Sequence, residues 1–484
     1  MKSRTLLALT AAAAIVLAAP VRADLCTIEA TPAATLLLPY FEVDIDDPSG
    51  VDTFFSINNA SDESVLTHVV VWTDMSVEAL DFNIYLTGYD VQTVGMGLMV
   101  RDGILPVTGD ANAYSHRGSF SGLHPGSQSA IDGYPGCAGK FPYPTPALDA
   151  DYLEHLQSIL TGGPSSLYGG LCGGYDWGDN VARGYVTVDV VNDCTLLTPC
   201  DVGYFYVGLD EELGLPIPGG VGGFDNAIWG DWYMIDYAND FAQGDTLVHL
   251  EAGDYNSDDW NTLISGTFYA RCTPVFWTPF PDMREPLPTT FATRFYQNAA
   301  FTGGTDFLVW RDSTYLPQDG FSCSAGPAWY PITQRQAVFF DEQENPEALC
   351  QISPCPEDEV LFPIEAQRVS VADIAVTPES GWAYFNLNQS GEVWGVEAEA
   401  VASGAWVMAV HSAEGRFSAG LSAIQLDSFC DNSSIVLGPA GDEYPAADVV
   451  YNYFNSSYYY PDGAEPVKRA NPDQLQRGWR QQQP

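Results

Sequence analysis

Tyr185-Val186-Thr187-Val188-Asp189-Val190 alternates without a break. Successive side chains of a strand point to opposite faces, so the three valines share one face and Tyr185, Thr187 and Asp189 share the other. That period of two predicts a half-buried strand, apolar toward a core and polar toward water. The same vocabulary of Val, Ile, Thr, Tyr, Phe and Trp recurs in Thr35–Val43, Thr53–Asn58, Thr67–Thr73, Asp81–Leu86, Val202–Leu209, Thr246–Glu251 and Thr262–Arg271. Turn residues punctuate these runs, with 45 glycines and 33 prolines in 484 residues. Only Pro146–Leu160 spaces its apolar residues (Leu148, Tyr152, Leu153, Leu156, Leu160) as a helix does. Short strands at close spacing predict an all-β chain built as two tandem β-sandwich domains. A transmembrane barrel fits poorly, because the spacing is irregular and the chain carries ten cysteines.

Residues 1–23 read as a Sec-type leader. Lys2 and Arg4 precede an uncharged stretch to Pro20, and Val21-Arg22-Ala23 offers a cleavage site. The stretch is short for a membrane span, which needs about 20 apolar residues. Export to the periplasm, cell surface or exterior follows, and the mature chain is expected to have no transmembrane span. All ten cysteines lie beyond the leader, and an even number in an exported chain predicts disulfides. Cys194 and Cys200, and Cys350 and Cys355, are near enough to close small loops. Cys137 and Cys172 flank a Gly/Pro-rich stretch and are expected to staple it. Losing Lys2, Arg4 and Arg22 takes the formal charge from −45 to −48. Nucleic acid is excluded as a partner, because its binding rests on basic residues neutralising phosphates.

Two stretches echo one another. Thr53-Phe54-Phe55-Ser56-Ile57-Asn58-Asn59-Ala60 leads to Val69-Val70-Val71-Trp72-Thr73-Asp74; Thr293-Arg294-Phe295-Tyr296-Gln297-Asn298-Ala299-Ala300 leads to Phe307-Leu308-Val309-Trp310-Arg311-Asp312. Weaker echoes pair Gly184–Asp189 with Gly381–Asn386 and Leu247–His249 with Met408–His411. This pattern predicts a first domain over 24–277 with an insertion at 101–180, a Pro-rich boundary at 278–288, a second domain over 289–460, and a disordered tail over 461–484. Its last part, Val467–Pro484, sets Lys468, Arg469, Arg477 and Arg480 against Asp473 alone, with no apolar period. Leu36-Leu37-Leu38-Pro39-Tyr40, the Phe55–Ser61 stretch and the segment Trp229–His249 resemble uncharacterised exported bacterial surface proteins with immunoglobulin-like β-sandwich domains. The resemblance spans about the first 270 residues and implies a fold, not an activity.

No G-x-S-x-G, H-E-x-x-H or C-x-x-C motif occurs, so neither a catalytic residue nor a resident cofactor is assigned. Asp254, Asn256 and Asp258 have the alternating oxygen spacing of a calcium loop, although Ser265 stands where an EF-hand needs Glu. An acidic turn explains the same residues. Asp44, Asp46 and Asp47 read as an ordinary turn. His116 and His124 fall in a Gly/Ser-rich loop. Trp229, Trp232 and Tyr233 are candidates for stacking on sugar rings, against the alternative of core packing. The functional expectation is a structural, adhesive or ligand-binding protein whose partner is a glycan or a surface protein. The alternative is a secreted glycan hydrolase with paired carboxylates.

Overall fold

The computed structural model describes residues 28, 30–106, 147–209, 216–253, 267–272, 281–297, 303–348, 360–374, 376–393, 396–401, 403–413, 416–427, 433–437 and 443–448. The expected calcium loop, His116, His124, Cys137, Cys350, Cys355 and the tail lie outside them. The described chain is mainly antiparallel β-sheet. Its longest described helix, Ala150–Leu160, starts four residues inside the predicted one because the Asp149 side chain caps it, accepting from the Tyr152 N–H at 2.9 Å.

The N-terminal half contains two five-stranded sheets. The first runs in the order Val248–Leu250, Thr35–Asp44, Val181–Val190, Val65–Thr73, Glu78–Leu86. The second places Ile228–Trp229, Val51–Asn59, Asp231–Asp236 and Phe241–Thr246 in order, with Val91–Gly95 also on the Val51–Asn59 strand. Register puts Leu36, Val188, Val69 and Phe82 in one row and Leu38, Val186, Val71 and Leu80 in the next. These rows face the second sheet, where Phe55, Ile57, Trp232 and Met234 complete the core. The C-terminal half repeats the arrangement. One sheet runs Pro346–Ala348, Gln336–Asp341, Ser380–Asn386, Thr290–Tyr296, Ile424–Gln425; the other runs Ala366–Ser370, Gly303–Arg311, Ala405–Ala413, Phe417–Ser422. Phenylalanines 291, 295, 307, 339 and 385 fill the space between them.

The Gly303–Arg311 strand has no solvent face along most of its length. Phe307 and Val309 point into the core of their own half, while Leu308 and Trp310 belong to the core of the N-terminal half. Trp310 meets Tyr185 edge-on at 5.7 Å and packs against Phe268 at 5.3 Å. The face of Val181–Val190 carrying Tyr185, Thr187 and Asp189 is therefore buried, not solvated as its alternation predicts. Gly184 is fixed by close approach: a Cβ there would stand 2.0 Å from the Trp72 carbonyl oxygen.

The first echo keeps its place in the fold. Val51–Asn59 and Thr290–Tyr296 each lead into a strand of the opposite sheet, and Trp72 and Trp310 stand near the ends of those strands. The second echo separates, because Val181–Val190 neighbours the Val65–Thr73 strand whereas Ser380–Asn386 neighbours Thr290–Tyr296. Shared strand composition accounts for it. Within Thr262–Arg271, the described residues 267–271 form a turn leading into a 3-10 helix, Ala270–Cys272. The Pro-rich segment is not a solvated linker: Asp282, Arg284 and Glu285 are buried.

Cys172, Cys194 and Cys200 are all disulfide-bonded, but neither Cys137–Cys172 nor Cys194–Cys200 forms. Cys172 joins Cys323, not Cys137, and Cys200 joins Cys272, not Cys194. The Cys172 and Phe321 backbones exchange two hydrogen bonds of 3.0 Å, which sets Cys172 beside the 321–323 segment. That bridge ties the two halves together.

Because Leu308 and Trp310 complete the other half's core, the halves should unfold together. Calorimetry should show one transition, and Leu308→Ala should lower its free energy of unfolding by about 2–5 kcal/mol. Two well-separated transitions, with only one moved by the substitution, would contradict the shared core.

Candidate functional site

The buried polar face centres on two groups of charges. Asp189 is fully buried and accepts from Tyr204 at 2.8 Å, from Tyr269 at 3.0 Å and from Thr35. Arg284 stands 3.4 Å away and also donates to the Asp282 and Gly223 carbonyls, each at 3.0 Å. Arg271 reaches across the seam to Glu365 at 2.5 Å and Asp312 at 3.2 Å, and donates to the Tyr185 hydroxyl at 3.1 Å. Burial works against the Arg271 charge, but Glu365 and Asp312 hold its proton well above the ordinary range. A third bridge runs from Arg368 to Glu42 at 3.0 Å and Asp306 at 2.6 Å. The cavity among Trp72, Tyr185, Phe268 and Trp310 measures about 10 Å³. That is room for about one water, so this face acts as a joint and does not admit a substrate.

A carboxyl pair lies further along the same face. A bulge in the Glu78–Leu86 strand sets Trp72 opposite Glu78 but Val70 opposite Asp81. One extra residue thus brings Glu78 and Asp81, three apart in sequence, onto one side. Tyr168 donates to the Glu78 carbonyl at 2.8 Å and Tyr152 to the Ala79 carbonyl at 3.0 Å, roofing the pair from the helix side. His68 Nε2 stands 3.7 Å from Asp81. Burial raises Glu78 to about 8, helped by the charges of Asp81, Asp201 and Asp319. Burial likewise raises Asp81 to about 7 and lowers His68 to about 4, leaving that imidazole neutral. Two adjoining carboxyls of this kind share a proton near neutrality. Strand alternation does not reveal the pair, because the bulge breaks the expected period.

His155 Nδ1 and Ser165 Oγ lie 2.5 Å apart, an arrangement superficially like a nucleophile and its base. Ser165 is buried and its oxygen also accepts from the Leu167 N–H, so it ties the helix to the following loop. Of the three sugar-stacking candidates, Trp232 is 1% exposed and belongs to the core, whereas Trp229 and Tyr233 are 41% and 52% exposed. Asp44 accepts from the Asp46 and Asp47 N–H groups, and Asp47 from Ser49, making the expected turn. His249 is a buried strand residue and His411 a partly buried one. Among the described residues no three His, Cys, Asp or Glu side chains gather as a metal-holding group, and no helix is long and apolar enough to cross a membrane. No protein-family model and no curated protein matches the chain.

The pair makes stability depend on pH. Both folded values lie above the ordinary 4.5 and 3.8, so the native state keeps protons that the unfolded chain releases. Its contribution is fully present below about pH 4 and is lost as pH rises toward 8. Glu78→Gln should flatten this fall, gaining on the parent protein between pH 5 and 8 in urea unfolding. Parallel curves would refute the shared proton. Arg271→Leu should cost about 3–5 kcal/mol at pH 7, because it removes the cation bonded to both Glu365 and Asp312.

Proposed function

We propose that this chain is an exported protein of two tandem immunoglobulin-like β-sandwiches that binds a glycan or a surface protein in an adhesive or structural role. The leader and the bridges Cys172–Cys323 and Cys200–Cys272 support export to an oxidising compartment. The observation that carries the binding role is the outer face of the second N-terminal sheet. Register aligns Gly95, Phe54, Tyr233 and Gly244 in a row across four strands. A Cβ on Gly244 would stand 2.8 Å from the Tyr233 ring, and one on Gly95 3.4 Å from the Phe54 ring. Each ring lies along a glycine, so Tyr233 forms a flat platform instead of standing off the sheet. Trp229, Val91 and Leu98 are exposed nearby, and Ser56, bonded to Asp231 at 2.6 Å, adds a polar margin. Aromatic rings beside hydrogen-bonding groups suit both sugar C–H faces and protein partners.

The hydrolase reading is less well supported. Paired carboxylates of a glycosidase stand about 5–9.5 Å apart to flank the scissile bond. The Glu78 and Asp81 carboxyls adjoin closely enough to perturb each other's protonation, which does not leave the separation a scissile bond needs.

Glycan-array and cell-surface binding of the oxidised protein should detect a partner. The double substitution Trp229→Ala, Tyr233→Ala should weaken that binding at least about tenfold, the effect of removing one interface hot spot. Both rings are well exposed, so the thermal midpoint should stay put. Undiminished binding by the double variant would remove this face from the account.

A further inference from the structure

We infer that the groove where the sheet edges of the two halves meet is a binding site for a short neutral oligosaccharide. It encloses about 560 Å³, within the range of small-molecule sites, and such sites favour domain junctions. Asp245 and His249 line it from the N-terminal half, and Trp406, Ser422 and Gln425 from the C-terminal half. These residues are distinct from the Trp229–Tyr233 platform, so the inference does not depend on it.

The walls are held in place. Ala242 donates its N–H to Ser418 Oγ at 3.0 Å, and Ser418 Oγ donates to the Ala242 carbonyl at 2.6 Å. Ser422 donates to Asp245 at 2.7 Å. Gly420 permits the approach, since a Cβ there would run into the Gln243 amide at 2.0 Å. With Ala242's backbone donor and acceptor already taken by Ser418, an added peptide strand has less to pair with along this edge.

The lining selects the ligand class. Trp406 offers an aromatic wall for sugar C–H surfaces. Asp245 accepts, Gln425 both donates and accepts, and Ser422, its one O–H given to Asp245, accepts, a set matched to hydroxyl groups. Among the described residues no Lys or Arg lines the groove. Burial lowers the His249 pKa, so it supplies no positive charge at neutral pH. On a chain of formal charge −45, an anionic glycan meets repulsion without a compensating cation.

Titration calorimetry of the oxidised full chain with cellohexaose, chitohexaose, xylohexaose and maltohexaose tests this. At least one should bind with Kd below about 1 mM. Gln425→Ala and Trp406→Phe should each weaken binding by about tenfold or more, whereas Trp229→Ala, Tyr233→Ala should leave it unchanged. Trp406→Phe keeps a ring in the wall, so the fold survives, and unchanged thermal midpoints verify this. Absence of binding by all four sugars overturns the inference. So does binding that both groove variants leave untouched, or binding lost only in the Trp229, Tyr233 variant, which would support the exposed platform instead.

Discussion

A buried carboxylate must find a cation or a full set of hydrogen bonds, or give up its charge. This chain holds 63 acidic residues against 18 lysines and arginines. Where it buries acids between its halves, it uses both remedies. Asp189 takes three hydroxyl donors with Arg284 alongside, and Glu365 and Asp312 share Arg271. Glu78 and Asp81, with no arginine partner in the described contacts, keep a proton instead. The stacking of four sheets depends on these arrangements, because the central two would otherwise meet through uncompensated charge.

Ion pairs of this kind are not the net source of stability. Desolvating two charges costs about as much as their attraction returns. The favourable balance at the seam comes from Trp310, Leu308, Phe268 and Tyr185, whose apolar surface leaves water at roughly 25 cal/mol per Å². What Arg271 and Arg284 add is geometry. Arg271 fits only where Tyr185, Glu365 and Asp312 converge from two halves, and Arg284 only where Asp189, Asp282 and Gly223 do. A slipped register would bury unpaired charge, so the polar contacts select among the ways in which the apolar surfaces could meet.

The alternation in Tyr185–Val190 made the strand and its apolar face readable, because side-chain period is a local property of the backbone. It could not reveal that the polar face was also covered, since its cover comes from residues 268–272 and 310, far away in sequence. The same limit explains the cysteines. Spacing favours Cys194 with Cys200, whereas Cys200 is joined to Cys272, 72 residues away, and Cys172 to Cys323, 151 away. Trp232 and Tyr233 are adjacent, yet one is core and the other surface. Strand alternation implies that split, but not which of them faces outward; the register against Phe54 and Phe55 decides it. The Glu78–Asp81 pair was hidden for a further reason, since a bulge is an exception to the period on which the reading relies.

The division of polar groups also bears on where binding can occur. Arg271, Arg284 and Arg311 are buried, and Arg183 and Arg368 are engaged with Glu42, Asp179 and Asp306. Arg294, paired with Glu342, and Arg416 stay exposed, but with most of the described arginines drawn inward the outer faces are dominated by carboxylates, hydroxyls, amides and aromatic rings. Such a surface has little to offer phosphate or sulfate, which want guanidinium or ammonium donors. It has much to offer a polyhydroxylated chain, whose C–H faces stack on rings and whose hydroxyls exchange hydrogen bonds with neutral and anionic oxygens. The same distribution of charge that closes the seam therefore biases the remaining exposed chemistry toward neutral ligands.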